Sequence, residues 1–375
     1  MKNLRCYARI SIDNLIHNLS CIRRVIGDDT LIFPIVKADA YSHGDIRCAK
    51  AICNAVGTFA VAEINEALHL RENGIENDIL ILGYTDPSFA ELLCENKITQ
   101  TVTDKEYAKS LSENLGKGVL GIHLKVDTGM HRFGIDCESE DGIADAEEIS
   151  RLPNLEIKGT FSHFAESDDL ASTFTDLQFS RFNSFTEKLR ERGIDTGALH
   201  IANSGATLTR PDTHLMAVRP GIILYGAYPS KEVKEKYLSL YPEYPLKEVM
   251  TMCARVGQVH KVKKGEGIGY SRTFLAEDDI LVATVTAGYA DGIPRGLSNK
   301  GRVTINGEVF PIVGNVCMDL LMVDITSAKN PVKAGDEVIF WGEEGLSIDE
   351  YAADAGEINY TVYTGVSPRV KRIYK

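Results

Sequence analysis

Between Leu31 and Val218 the chain alternates short apolar runs with longer amphipathic stretches. The short runs are Leu31–Val36, Thr58–Ala62, Ile79–Leu82, Thr99–Val102, Val119–Val126, Leu155–Phe161, Ala198–Ile201 and Leu215–Val218, eight of strand length. Helical spacing fills most gaps between them, at 46–56, 64–72, 88–95, 104–114, 144–150 and 174–192. A further helix is predicted from Ser11 to Ile26, with Ile12, Leu15, Ile16, Leu19 and Ile22 on one face. Gly74, Gly83 and Gly193 stand where helices or strands should stop. Only the seventh connection is short, with Gly205–Leu208 as a stub of helix. Eight strands alternating with helices predict a TIM-type (β/α)₈ barrel. A doubly wound open sheet is the alternative, yet no G-x-G-x-x-G follows the first run.

The rhythm changes in the connector Tyr237–Leu246, which is crowded with tyrosine and proline. From Met250 onward strand-like runs dominate: 250–262, 279–286, 302–305, 309–313, 320–325 and 337–340. Turn signals such as Asn306-Gly307 separate them. One late helix is predicted at Ile348–Ala355. The expected fold class is therefore α/β, a barrel over residues 1–240 followed by a mostly β domain over 241–375. The N-terminal strand is a candidate to join the second domain.

A net charge of −12 argues against general nucleic-acid binding. The eight cysteines include no C-x-x-C pair, so a structural zinc site is not expected, nor is any other metal. Scattered thiols suit a cytoplasmic protein. The N-terminus has no long apolar segment and no run approaches a membrane span, so no membrane contact is expected from this chain. The cytoplasmic domain of a membrane-anchored protein would look the same.

Barrel geometry sorts the polar residues. Side chains at the C-terminal strand ends gather at one rim, where barrel enzymes do their chemistry. Lys37 ends the first run, in Ile35-Val36-Lys37-Ala38-Asp39-Ala40-Tyr41-Ser42-His43-Gly44. At the rim of a core, desolvation would lower its pKa and make it a nucleophile towards carbonyls. Asp127, Thr128, Gly129 and Arg132 follow the fifth run, and His163 the sixth. Asn203 and Ser204 follow the seventh, and Arg219, Pro220, Gly221 and Ile222 the eighth. The last two groups occupy the usual phosphate site of such barrels. Singly, each motif is weak: a lysine can cap a strand, a serine a helix, a histidine can be a satisfied core residue. His131 and His200 look less placed for a role.

Together these stretches resemble the alanine racemases, pyridoxal-phosphate enzymes built from a barrel and a C-terminal β domain. The resemblance rests on Val36–Gly44, Lys125–Gly134, Ala202–Ala206, Arg219–Ile222, Gly269–Arg272, Gly288–Gly292 and Gly314–Asp319, in the family's order. It implies roles residue by residue. Lys37 matches the lysine that binds the cofactor as a Schiff base and acts as one catalytic base. Tyr41, Ser204, Gly221, Ile222 and Tyr360 match the contacts to the cofactor's phosphate. Arg219 matches the partner of the pyridine nitrogen, His163 the residue beside the ring, and Arg132 the contact to the phenolic oxygen. Lys125 takes the place of a lysine that is carbamylated in some members and braces that arginine. Tyr270 matches the second catalytic base, supplied by the partner subunit of a homodimer. Tyr289, Met318 and Asp319 match residues of the access path and the substrate carboxylate site, also from the partner.

The implied reaction is interconversion of L- and D-alanine, of L- and D-serine, or of both, providing D-amino acids for peptidoglycan. Some relatives are serine racemases of glycopeptide-resistance systems. Two bases on opposite faces of the α-carbon move a proton with least motion, and each must be brought towards neutrality. An arginine at the pyridine nitrogen will not protonate the ring as an acid would, so the ring is a weaker electron sink. Departures from the usual family pattern are Asp39 for asparagine, Ser42 for glycine, His131 for glycine and Thr361 for glutamate. They bear on substrate preference and remove no catalytic group. The competing reading is a decarboxylase with the same cofactor and fold.

Overall fold

The computed structural model describes residues 4–375. Its strands, in chain order, are β1 (Cys6–Ile10), β2 (Leu31–Ile32), β3 (Thr58–Val61), β4 (Asp78–Ile81), β5 (Ile98–Val102) and β6 (Leu120–Asp127). They continue with β7 (Ile135–Asp136), β8 (Leu155–Phe161), β9 (Ala198–His200), β10 (Ala217–Val218) and the long β11 (Met250–Val262). The last eight are β12 (Gly267–Ile268), β13 (Phe274–Leu275), β14 (Ile280–Val285), β15 (Arg302–Ile305), β16 (Glu308–Val313), β17 (Leu321–Asp324), β18 (Glu337–Trp341) and β19 (Lys371–Tyr374).

Eight parallel strands form the first sheet in the order β2-β10-β9-β8-β6-β5-β4-β3, with β7 paired only to β6. The apolar runs are buried on both sides, by barrel interior and by helices, which is why they read as continuous rather than alternating. The first run is the irregular one. Only Leu31 and Ile32 pair as a strand, with Ala217 and Val218. Pro34 has no N–H to give a ladder. The ring still closes across it: Ile35 N–H donates to the Pro220 carbonyl at 3.0 Å, and Val36 N–H to the Ala60 carbonyl at 3.0 Å. The chain therefore delivers Lys37 between β10 and β3, at the rim.

The second sheet runs β14-β17-β16-β15-β18-β11-β1-β19, and β14 also pairs with β11. Register shifts at Met252/Cys253 and Val256/Gln258 bend β11 so that one strand serves both ends of this curled sheet. The Asn306-Gly307 turn has both residues left-handed, φ 51° and 79°, which fits the twist of the β15–β16 hairpin. β1 is antiparallel to β11 and parallel to β19, so the first and last strands both lie in this sheet.

The helix Ile12–Ile26 follows β1 at once, capped by Ser11, whose hydroxyl accepts from Asn14 N–H. Its buried Asn18 donates to the carbonyls of Leu224 and Lys247 and accepts from Lys247 N–H at 2.8 Å. That pins the connector leaving the barrel. Sequence periodicity missed two helices, Lys231–Leu240 and Asn359–Thr364. The first carries few apolar residues, burying only Val233 and Tyr237, and the second is six residues long. Among the described residues no helix is long and apolar enough to cross a membrane.

Candidate active site

Directly after Lys37 the backbone turns left-handed and stays so. Ala38, Asp39, Ala40 and Tyr41 have φ between 52° and 54° with ψ between 44° and 51°, and Ser42 has φ 64°. For L-residues that conformation costs roughly 1–2 kcal/mol each. The sequence lowers the cost by keeping β-branched residues out of positions 37–44. The structure then holds the turn from several sides. Glu66 Oε1 accepts from Ala38 N–H at 2.6 Å while its Oε2 accepts from Ala62 N–H at 2.7 Å. Asp39 Oδ1 accepts from Asp45 N–H at 2.9 Å. Arg372 Nε, on β19, donates to the Ser42 carbonyl at 2.9 Å. A Cβ at Gly44 would lie 1.8 Å from the Tyr374 hydroxyl oxygen, so β19 packs against this turn only because residue 44 is glycine.

Lys37 opens onto a cavity of about 820 Å³ at the C-terminal rim of the barrel. Tyr41, Arg132, His163, Ser204, Arg219, Gly221 and Tyr360 also line it. Burial, and next Arg132, lower the Lys37 pKa, with Glu66 opposing. At one end Gly221 N–H donates to Ser204 Oγ at 2.9 Å. Asn203, not Ser204, caps the helix Ser204–Thr209 by accepting from Ala206 N–H, which frees the serine for the cavity. A Cβ at Gly221 would sit 2.7 Å from the Tyr41 hydroxyl oxygen, so Tyr41 can reach this corner only beside a glycine. The Tyr41 ring rests on Tyr225 and Tyr360, centroids 4.9 and 6.2 Å away. Ile222 lies beneath, fully buried at the start of the 3₁₀ turn Ile222–Tyr225.

The floor is a cluster of cations and imidazoles. Arg219 is buried and donates through Nη2 to the Ser162 carbonyl at 2.6 Å; the same nitrogen is 3.2 Å from His163 Nδ1. Its Nη1 is 2.5 Å from His200 Nδ1, and His200 Nε2 is 2.9 Å from His123 Nδ1. Phe161 stacks flat on His200, centroids 4.8 Å apart. Burial, then Arg132, pushes the Arg219 pKa down to about 9. Burial with Arg219 as the leading charge holds His163 and His200 neutral, well below the usual histidine range. Lys125 is buried under the cavity, donating to the Val126 carbonyl at 2.9 Å, and burial and Arg219 push it down to about 7. Asp127 orders the following loop by accepting from Gly129 and His131 N–H, which sets Arg132 at the wall. His131 points away and is 86% exposed.

His200 therefore belongs to the site, contrary to the sequence expectation. A lone histidine in an apolar strand carries no local signal; its partner Arg219 directly follows the neighbouring strand β10. Glu66 was missed as well, because its two N–H partners come together only when β3 and the left-handed turn meet.

Tyr270, Tyr289, Met318 and Asp319 do not line the cavity. Tyr270 sits on the β12–β13 hairpin and is 74% exposed. Asn315 Nδ2 donates to the Tyr270 carbonyl at 2.8 Å, and Tyr289 and Ala290 N–H donate to the carbonyls of Cys317 and Met318. Three loops are thus knit into one exposed face carrying Tyr270, Tyr289 and Met318, and Arg369 holds Asp319 at its edge at 2.6 Å.

Comparison with known proteins settles the family. The alanine racemase N-terminal domain family matches residues 10–229 and the alanine racemase C-terminal domain family residues 249–374. The chain belongs to the alanine racemase family. It is 42% identical to the alanine racemase of Clostridium novyi, covering 100% of this chain and 96% of that protein. Among solved structures, alanine racemase from Clostridium difficile 630 superposes with a TM-score of 0.93 at 37% identity, covering 100% of this chain and 96% of that one. The Bacillus anthracis alanine racemase with bound L-Ala-P gives 0.90 at 33%, covering 99% and 95%. The family is pyridoxal-phosphate-dependent. The cavity fits that cofactor: an amine of lowered pKa at one side, a glycine-lined corner with Ser204 and Tyr41 for an anion, and a buried guanidinium on the floor.

Proposed function

We propose that the chain racemises alanine, interconverting the L and D forms on pyridoxal phosphate held in the barrel cavity. The observation that carries this reading is the left-handed turn. It presents Lys37 to the cavity that Arg219 floors, with the Ser204–Gly221 corner in the same wall. Bound pyridoxal phosphate supplies an electron sink that acidifies the α-C–H of an attached amino acid. Ser204, the Gly221 backbone, Tyr41 and Tyr360 would hold its phosphate, with Ile222 behind them. Arg219 would face the ring nitrogen as a hydrogen-bond donor that keeps its own proton, since it remains charged at neutral pH. His163 would lie beside the ring and Arg132 would meet the phenolic oxygen.

Lys37 then serves as the base on one face, burial shifting its pKa in the direction a base needs. The base for the other face is Tyr270 of a second copy. It lies on an exposed face, so the active site is completed by dimerisation, with Tyr289, Met318 and Asp319 lining the access path. The mostly buried thiols, all unpaired, suit the cytoplasm. D-alanine formed there would feed peptidoglycan.

Alanine is read as the preferred substrate over serine. Thr361 and Thr364 line the cavity, but their hydroxyls already bond carbonyls of their own helix, at 2.8 Å each. A hydroxymethyl oxygen would therefore find no free hydroxyl donor in them and could only donate to them. The test is steady-state racemisation of L-alanine and L-serine side by side by the cofactor-loaded enzyme. The proposal expects higher kcat/KM for alanine; carbon dioxide release without racemisation would replace it with a decarboxylase.

A further inference from the structure

His43 lies behind the lysine-bearing turn and takes no part in the chemistry above. Its side chain is fully buried. Nδ1 is 3.0 Å from the Ala40 carbonyl and 2.9 Å from the Tyr41 carbonyl. Both partners are acceptors, so Nδ1 carries the proton. The ring stacks on Tyr225 at 4.6 Å and meets the edge of Tyr363 at 4.9 Å. Nε2 is buried and has no partner among the described residues. Burial pushes the His43 pKa down to about 3, so the ring is neutral and its single proton stays on Nδ1.

Those two carbonyls belong to Ala40 and Tyr41, within the left-handed run and just before its end at Ser42, with φ 52° and 53°. Ala40 also accepts from His43 N–H at 3.1 Å, so the Tyr41 carbonyl relies on the imidazole. Tyr41 is the residue whose hydroxyl fills the corner against Gly221. The same Tyr225 ring supports both Tyr41 and His43. A rotation of the 40–41 peptides towards ordinary right-handed geometry would withdraw the Tyr41 hydroxyl from the corner and break both imidazole contacts together.

We infer that His43 is a positioning residue that locks the turn after Lys37 in its left-handed form, as the Nδ1–H tautomer, and thereby sets how tightly the phosphate corner holds an anion. This rests on reading the cavity as the cofactor site. It predicts that a donor at the Nδ1 position matters more than an aromatic ring.

The experiment compares the full-length parent with His43→Phe, which keeps the ring, and His43→Asn, whose amide nitrogen takes the place of Nδ1. Each is stripped of cofactor, checked for fold by circular dichroism, and titrated with pyridoxal phosphate. The expected result is binding about tenfold or more weaker for His43→Phe, with His43→Asn closer to the parent. ¹⁵N spectra of the histidine-labelled parent should show His43 protonated on Nδ1 and not titrating between about pH 5 and 8. Parent-like binding by His43→Phe, equal loss in both variants, or a proton on Nε2 would overturn the inference. Failure of the parent itself to bind pyridoxal phosphate would instead overturn the cofactor reading and leave the tautomer result to stand alone.

Discussion

Nη1 of Arg219 lies 2.5 Å from Nδ1 of His200. Arginine only donates, so that nitrogen of His200 is the acceptor and its proton sits on Nε2, aimed at Nδ1 of His123 at 2.9 Å. A glycine at 159 makes room for this chain, since a Cβ there would be 2.5 Å from the His123 ring. Two imidazoles thus fix the guanidinium proposed to face the cofactor ring. His200→Phe keeps the stacking on Phe161 but removes the acceptor. It should lower kcat by about tenfold, and Arg219→Ala by about 100-fold. Steady-state racemisation of both enantiomers measures this; an unchanged kcat in Arg219→Ala would remove the arginine from the mechanism.

Five histidines held neutral by the fold predict acid lability. His43 and His123 are pushed down to about 3 by burial, and His163, His200 and His214 are also held low. Above the ordinary value of 6.5 both folded and unfolded chains are neutral at these sites and stability is unaffected. As pH falls from there towards about 3, the unfolded chain takes up protons the folded one refuses. Each such histidine removes roughly 1.4 kcal/mol per pH unit in that window. Glu248 opposes them: burial raises it from 4.5 to about 7, so acidification through that range favours the fold at this one site. The histidines outnumber it. The urea midpoint should fall between pH 7 and pH 5; a flat or rising midpoint would contradict the buried neutral state.

Much of this was readable beforehand, and for physical reasons. The alternation of runs reported the barrel because parallel strands buried on both sides need unbroken apolar sequence. The Asn306-Gly307 pair reported its hairpin because few residues accept two positive φ values. The left-handed turn was not readable. Ala38-Asp39-Ala40 permits that conformation without demanding it, and what imposes it arrives from far along the chain, from Glu66 and Arg372. His200 was hidden for the same reason. The exposure of Tyr270 meant little until the cavity was seen to lack it.

Carbamylation is predicted at Lys125. Its amine is buried, donates to the Val126 carbonyl alone among the described residues, and is pushed down to about 7 by burial and Arg219. The neutral amine is the form that adds carbon dioxide, and a carbamate would place a negative charge beside Arg219 and Arg132. In ¹³C-bicarbonate the enzyme should show one carbamate signal, absent in Lys125→Ala, growing as pH rises through about 7. No such signal would leave Lys125 as an unmodified buried amine.

The proposed sharing of the site between two copies predicts complementation. Lys37→Ala and Tyr270→Phe should each be inactive alone. Mixed at equal concentration and allowed to exchange subunits, they should recover about a quarter of parental activity, because half the dimers then hold one intact site of two. A mixture as inactive as its components would mean that both bases come from one chain.

The central claim is that Lys37 and Tyr270 work on opposite faces of one α-carbon. The most direct measurement follows α-hydrogen exchange of L-alanine and of D-alanine in D₂O, by proton NMR, with the parent enzyme and with Tyr270→Phe. The parent should exchange and racemise both. Tyr270→Phe should lose racemisation by at least about 100-fold, yet still exchange the enantiomer whose proton Lys37 takes. Unchanged racemisation in Tyr270→Phe, or equal loss of exchange from both enantiomers, would contradict the two-base account.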